Sequence, residues 1–199
     1  MDICNYYLCM KSLQESLLDS KTQMTIESLF DTDLVSKDIL YHPKTKGELR
    51  DIIKEQLKLQ GPNANLNIID VSKITDMEDL FFGLGLYPHN IDISKWDVSN
   101  VENMNSMFYA REKFNSDLSK WNVNKVKDMR AMFYGCENFN SDLSKWDVKK
   151  VKDMGHMFEE CKSFNSDLSK WDVENILYMD YMFHGCKSLK KIPSWYEKS

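Results

Sequence analysis

The sequence predicts an α/β fold: a solenoid of 25-residue units, each a short strand plus a short helix, with an α-helical region ahead of it. Three observations carry this. Tryptophans recur at Trp96, Trp121, Trp146 and Trp171, a constant step of 25. Two further series, Met104/Met129/Met154/Met179 and Phe108/Phe133/Phe158/Phe183, keep that step. A fixed period of this size signals stacked repeats, because each unit is too small to bury its own apolar face. Apolar residues at steps of three and four upstream of the repeats supply the helical part.

In chain order, residues 1–40 stand outside the repeat. Tyr6, Tyr7, Met10, Leu13, Leu17 and Leu18 predict an amphipathic helix over about 3–19, and Thr25 to Leu34 a shorter one. His42-Pro43 breaks the chain. Thr45 with Glu48 forms a capping box, and Leu49, Ile52, Ile53 and Leu57 form one stripe. This predicts a helix over about 45–59, stopped by Gly61-Pro62, that covers the open end of the repeats. Asn65 to Val71 reads as a short strand. Ile74, Met77, Leu80 and Phe81 match Val101, Met104, Met107 and Phe108 at an offset of 27, a degenerate first repeat with two extra residues in FGLGLYPHN. Two domains follow: a helical N-terminal region and cap over 1–60, and repeats with a C-terminal cap over 61–199.

Within a unit, Val101, Met104, Met107 and Phe108 fall on one face of a short helix, with Ser99 as its cap. The SDLSKWDV segments read as extended, with Leu118, Trp121 and Val123 pointing inward. Stacking then builds narrow parallel sheets with helices on the other side. The tryptophans and Phe114/139/164 are expected as aromatic ladders. Asn115/140/165 is expected at a turn, satisfying backbone groups of the next coil. Lys95/120/145/170 forms a surface charge stripe beside Asp92/117/142/167. Cys136, Cys161 and Cys186 form a column of buried, reduced thiols, with Arg111 at the same position in the first full unit.

Composition bounds the function. The chain has 199 residues, 42% hydrophobic, and a net charge of −5, with a pI near 5.4. That argues against nucleic acid or an anionic membrane as the main partner. No apolar run approaches the roughly 18 residues of a membrane span. The N-terminus, MDICNYYLCM, lacks a basic n-region, so the sequence as it stands reads as cytoplasmic. The five cysteines are odd in number and spaced as a column, not as metal ligands.

No catalytic constellation appears. His156 and His184 sit at different repeat positions and form no evident ligand pair. There is no GxSxG, HExxH or Walker A sequence. A thiol stacked on its copies has no base beside it. The expectation is a protein that is not an enzyme, with no cofactor and no metal. The positions that vary between units mark candidate partner contacts: Tyr109, Tyr134, Glu159 and His184 after the phenylalanine, and His156 and Tyr181 within the predicted helix. The last unit, ILYMDYMFHGC, adds Tyr178, and Trp195 follows it. Either the C-terminal tail folds back over these aromatics or a partner covers them.

The pattern FNSDLSKWDVxxVxxMxxMFxxC resembles the BspA-like leucine-rich-repeat surface protein family, in its 25-residue form of the mycoplasma lipoprotein type. The similarity covers about 70 to 190. The resemblance implies a leucine-rich-repeat-like solenoid and a non-enzymatic role in bacterial protein binding or adhesion, at the cell surface or secreted if a leader has been removed. A self-assembling structural protein, a homodimer through the C-terminal aromatic end or through the N-terminal helices, is the alternative. An effector or toxin activity in the first 60 residues is the third reading.

Overall fold

A computed structural model describes residues 39–84 and 90–196. The helices predicted over 3–19 and 25–34 lie outside these residues.

The first element, α1, is Lys46–Gln60 (15 residues), one residue along from its predicted bounds. Thr45 stands at the N-cap in extended geometry, and its hydroxyl accepts from the Glu48 N–H at 3.2 Å. The Glu48 carboxylate in turn accepts from the Lys44 N–H at 2.7 Å. Two backbone donors at the helix start are thereby satisfied. Gly61 ends the helix at φ 80°, its N–H on the Leu57 carbonyl, a left-handed conformation that glycine adopts at little cost. Leu49, Ile53 and Gln56 form the buried face. Burying each of the two aliphatic side chains contributes about 1.5–3 kcal/mol. Gln56 is satisfied by donating to the Tyr41 hydroxyl at 2.9 Å.

Beyond α1 the chain runs in successive coils with turn segments at 74–84, 101–111, 126–136, 151–161 and 176–186. Single parallel bridges join them, Asp76 to Asn103, Asn103 to Asp128, Asp128 to Asp153 and Asp153 to Tyr178.

The predicted α/β architecture does not form. Among the described residues α1 is the one helix, there is no strand, and the pairings are isolated bridges. Where a helix was expected from Val101 to Phe108, the chain makes consecutive tight turns. The N–H groups of Met107, Tyr109 and Arg111 each bond the carbonyl three residues back. Ser106 (φ 52°) and Ala110 (φ 56°) are left-handed, and an α-helix of L-residues does not continue through such a position. The same two places are left-handed in the later coils, at Ala131, His156 and Tyr181 and at Gly135, Glu160 and Gly185. The expected strands fail similarly. Ile69 and Trp121 close turns on the Leu66 and Leu118 carbonyls, and the Asp117 carboxylate accepts from the Ser119 N–H at 2.9 Å. The chain bends where a strand must run straight. An α/β leucine-rich-repeat solenoid of strands and helices with an α-helical N-terminal cap is therefore not the architecture of these residues.

Most bonds of the backbone ladder that joins the coils run one way, although Glu102, Lys127, Lys152 and Leu177 donate back to Thr75, Glu102, Lys127 and Lys152, and Asn138, Ser163 and Ser188 donate back to Glu112, Glu137 and Lys162. The N–H groups of Met104, Ser106, Phe108 and Ala110 donate to the carbonyls of Asp128, Arg130, Met132 and Tyr134, at 2.7–2.9 Å. Met129, Ala131, Phe133 and Gly135 donate onward to Asp153, Gly155, Met157 and Glu159. Met154, His156, Phe158 and Glu160 donate to Tyr178, Asp180, Met182 and His184. In these rows each coil donates to the following one. The alignment of these rows leaves carbonyls at their leading end and N–H groups at their trailing end, as at the two ends of a helix.

Side chains fill the space inside. Phe108, Phe133, Phe158 and Phe183 stack at 5.5, 5.6 and 5.9 Å between centroids, each pair within 7° of parallel. Phe114, Phe139 and Phe164 stack beside them at 5.8 and 6.1 Å. The tryptophans tilt against the first phenylalanine series, and each indole N–H bonds the preceding coil: Trp121 to Ile93, Trp146 to Leu118, Trp171 to Leu143. The Asn column behaves as expected, since the Asn115 and Asn140 side chains accept from the Asn140 and Asn165 N–H groups at 2.9 Å. Leu118, Trp121 and Val123 point inward, and Lys95/120/145/170 lies at the surface.

The thiols of Cys136, Cys161 and Cys186 are free. Each S–H donates to the phenylalanine carbonyl of the preceding coil, at 3.1, 2.9 and 3.0 Å. Burial pushes all three thiols up, Cys186 to about 12. They are weak donors that the core also uses as small apolar groups.

Candidate interaction surface

The variable positions follow the coils to one flank. Tyr109 and Tyr134 stack at 4.7 Å with planes 5° apart. Tyr109 is exposed and Tyr134 half-buried. The neighbouring Tyr109, and behind it the Glu159 charge, push the Tyr134 hydroxyl up. The next two members of that column, Glu159 and His184, are in contact, His184 Nδ1 to Glu159 Oε1 at 3.1 Å.

His156 occupies the left-handed position (φ 60°). Its two ring nitrogens face carboxylates: Nδ1 to Glu159 Oε2 at 2.6 Å, and Nε2 to Asp180 Oδ2 at 3.0 Å. A ring protonated on both nitrogens can donate to both. Tyr181 stacks on it at 5.4 Å and meets His184 edge-on. The structure thus brings His156, Glu159, Tyr181 and His184 together, although the histidines are 28 apart in sequence. Both reach Glu159, which their different repeat positions did not reveal. Asp180 and Glu160 also belong here, Glu160 Oε1 lying 3.9 Å from His184 Nδ1. The sequence signal that could have found Glu160 is its place in a column otherwise held by glycine or alanine. Among the described residues no three His, Cys, Asp or Glu side chains converge as a metal site.

The last coil departs from the others. In earlier coils Asp76, Asn103, Asp128 and Asp153 each accept from the N–H two residues on, at 2.8–3.0 Å. Tyr178 replaces that acceptor and projects outward, 58% exposed, between Leu177 at 69% and Tyr181 at 60%. Among the described residues the tail does not cover them. Trp195 instead acts as the next tryptophan of the series. It stacks on Trp171 at 6.4 Å, and its indole N–H bonds the Leu168 carbonyl at 2.9 Å. Of the candidate contacts, Trp195 is therefore half-buried and packed, whereas Tyr178 and Tyr181 are open.

No helix among the described residues is long and apolar enough to cross a membrane. No curated protein and no solved structure matches the chain. The model of one family, described as "Mycoplasma protein of unknown function, DUF285", matches residues 50–148 and 123–199. Those spans include every coil and more than half of the chain, so the protein belongs to this mycoplasma family of unknown function.

Proposed function

We propose that this chain is a non-enzymatic, bacterial protein-binding module whose partner lies along the flank that begins at Tyr109 and Tyr134 and ends at Tyr178 and Tyr181. The observation that carries the reading is the concentration of exposed aromatic side chains on columns that are otherwise polar. Tyrosine gives large contact area at low entropic cost and is enriched where proteins bind each other. The net charge of −5 suits a protein partner better than a nucleic acid. The resemblance of FNSDLSKWDV and MFxxC to BspA-like adhesins points the same way.

The test is affinity capture from the source cell with the full chain and with Tyr134→Ala, Tyr178→Ala and Tyr181→Ala. A retained protein that at least one substitution releases supports the reading. Retention unchanged in all three places the binding surface elsewhere.

A further inference from the structure

The two ends of the backbone ladder are treated differently. At the leading end, the carbonyls of Glu78, Leu80 and Phe82 hold the places that Asn105, Met107 and Tyr109 hold one coil later, but no coil precedes them among the described residues. The helix α1 meets them with cations. The Lys46 ammonium donates to the Glu78 carbonyl at 3.2 Å, and the Arg50 guanidinium donates to Leu80 at 2.8 Å and Phe82 at 2.7 Å. Positive charge at the carbonyl end of an aligned row is the favourable arrangement.

At the trailing end, the donors in register are the N–H groups of Met179, Tyr181, Phe183 and Gly185. None of the four has an acceptor among the described residues. Phe183 is roofed by the Tyr196 ring at 5.1 Å. The edge from Met179 to Tyr181 has no such roof among the described residues, and it is there that the lysine, aspartate and histidine of the preceding coil become the exposed Leu177, Tyr178 and Tyr181. Unpaired backbone donors beside exposed apolar rings form an edge suited to an added segment.

We infer that this edge takes a polypeptide segment of another protein, laid parallel to 176–186, with backbone carbonyls on the Met179 and Tyr181 N–H groups and apolar side chains against Tyr178 and Tyr181. A second copy of this chain does not fit. Its trailing end would set the N–H groups of Met179, Tyr181, Phe183 and Gly185 against the same four donors, and its leading carbonyls already accept from Lys46 and Arg50. The inference rests on the Tyr178–Tyr181 end of the flank reading above and deepens it; the two fail separately, since a partner can lie on the tyrosine rings and leave the Met179 and Tyr181 amides untouched.

The probe is a synthetic peptide with the sequence of residues 121–145, a coil whose carbonyls already fit such a row. Amide hydrogen exchange of the full chain is followed with and without it. The Met179 and Tyr181 amides are expected to exchange freely in the protein alone and to slow about tenfold or more at saturating peptide. A scrambled peptide has no such effect. The triple variant Leu177→Lys, Tyr178→Asp, Tyr181→Ala, which restores the pattern of an inner coil, weakens the peptide about tenfold or more. Three results overturn the inference. One is protection of both amides in the protein alone at low concentration, which means the chain covers its own edge. Another is protection that rises with protein concentration alongside dimerisation. The third is equal behaviour of the native and scrambled peptides.

Discussion

The guanidinium of Arg111 donates to the carbonyl of Phe81 one coil back, the task that the Cys136 thiol performs on Phe108 in the following coil. The cysteine column therefore supplies a hydrogen bond as well as packing, and Arg111 is its first member by function. Removing it leaves a buried carbonyl without that donor, a cost of about 1–3 kcal/mol. Arg111→Ala is expected to lose that much in urea unfolding. Arg111→Cys, which returns a donor of the kind used elsewhere in the column, is expected to recover a measurable part of it. Equal stability of the two variants would show that packing alone governs the position.

Arg50 ties α1 to three carbonyls of one turn segment, those of Asp79, Leu80 and Phe82. Hydrogen bonds from a charged donor contribute about 1.5–3 kcal/mol each at best, and less where water competes. Arg50→Ala is expected to lower the thermal midpoint and to speed amide exchange over 77–82 before it does so over 129–135. Uniform loss of protection along the stack would contradict a role local to the leading end.

Ala110 and Gly135 occupy equivalent left-handed positions, at φ 56° and 68°. An L-residue there costs roughly 1–2 kcal/mol relative to glycine. A Cβ at Gly135 would also lie 3.5 Å from the Ala110 Cα, an ordinary contact. Gly135→Ala is therefore expected to destabilise by about 1 kcal/mol and Ala110→Gly to stabilise by up to about 1 kcal/mol. Chemical denaturation of the two variants beside the parent measures both signs, and a loss from Ala110→Gly would refute the strain assigned to that turn.

Asp117, Asp142 and Asp167 accept from the N–H groups of Ser119, Ser144 and Ser169, at 2.9–3.0 Å. Those backbone bonds hold the three carboxylates below the ordinary aspartate range. A carboxylate depressed in the folded state stabilises fully above its unfolded value, about pH 4, and that contribution is lost as pH falls through the folded value. The contribution of these three aspartates should therefore be flat above about pH 5 and decline below about pH 4. The triple variant carrying Asn at 117, 142 and 167 keeps an acceptor but cannot titrate. Its acid limb is expected to be shallower than the parent's in pH-dependent melts, and superimposable limbs would rule these residues out as its source.

The period and the inward-facing residues were legible because a column needs the same side chain once per coil. Met104, Phe108, Trp121 and Asn140 sit where their spacing put them. The secondary structure was not legible. Apolar steps of three, three and one at Val101, Met104, Met107 and Phe108 fit a helical face, and they equally fit a run of turns closed three residues back. What separates the two is the sign of φ at Ser106 and Ala110, and neither residue is a glycine that would announce it. The site was legible in part. Variation between units marked Tyr109, Tyr134, Tyr178 and Tyr181 as surface positions. The meeting of His156 and His184 on Glu159 depends on how neighbouring coils superpose.

By itself the sequence determined the repeat length, the contents of each column and the extent of α1, because these follow from local capping chemistry and from identical residues recurring at one interval. Only the tertiary structure decided how each coil bends, in which direction its N–H groups point and which edge they leave unpaired. Those choices rest on hydrogen bonds between residues 24 apart, whose polarity no local pattern records.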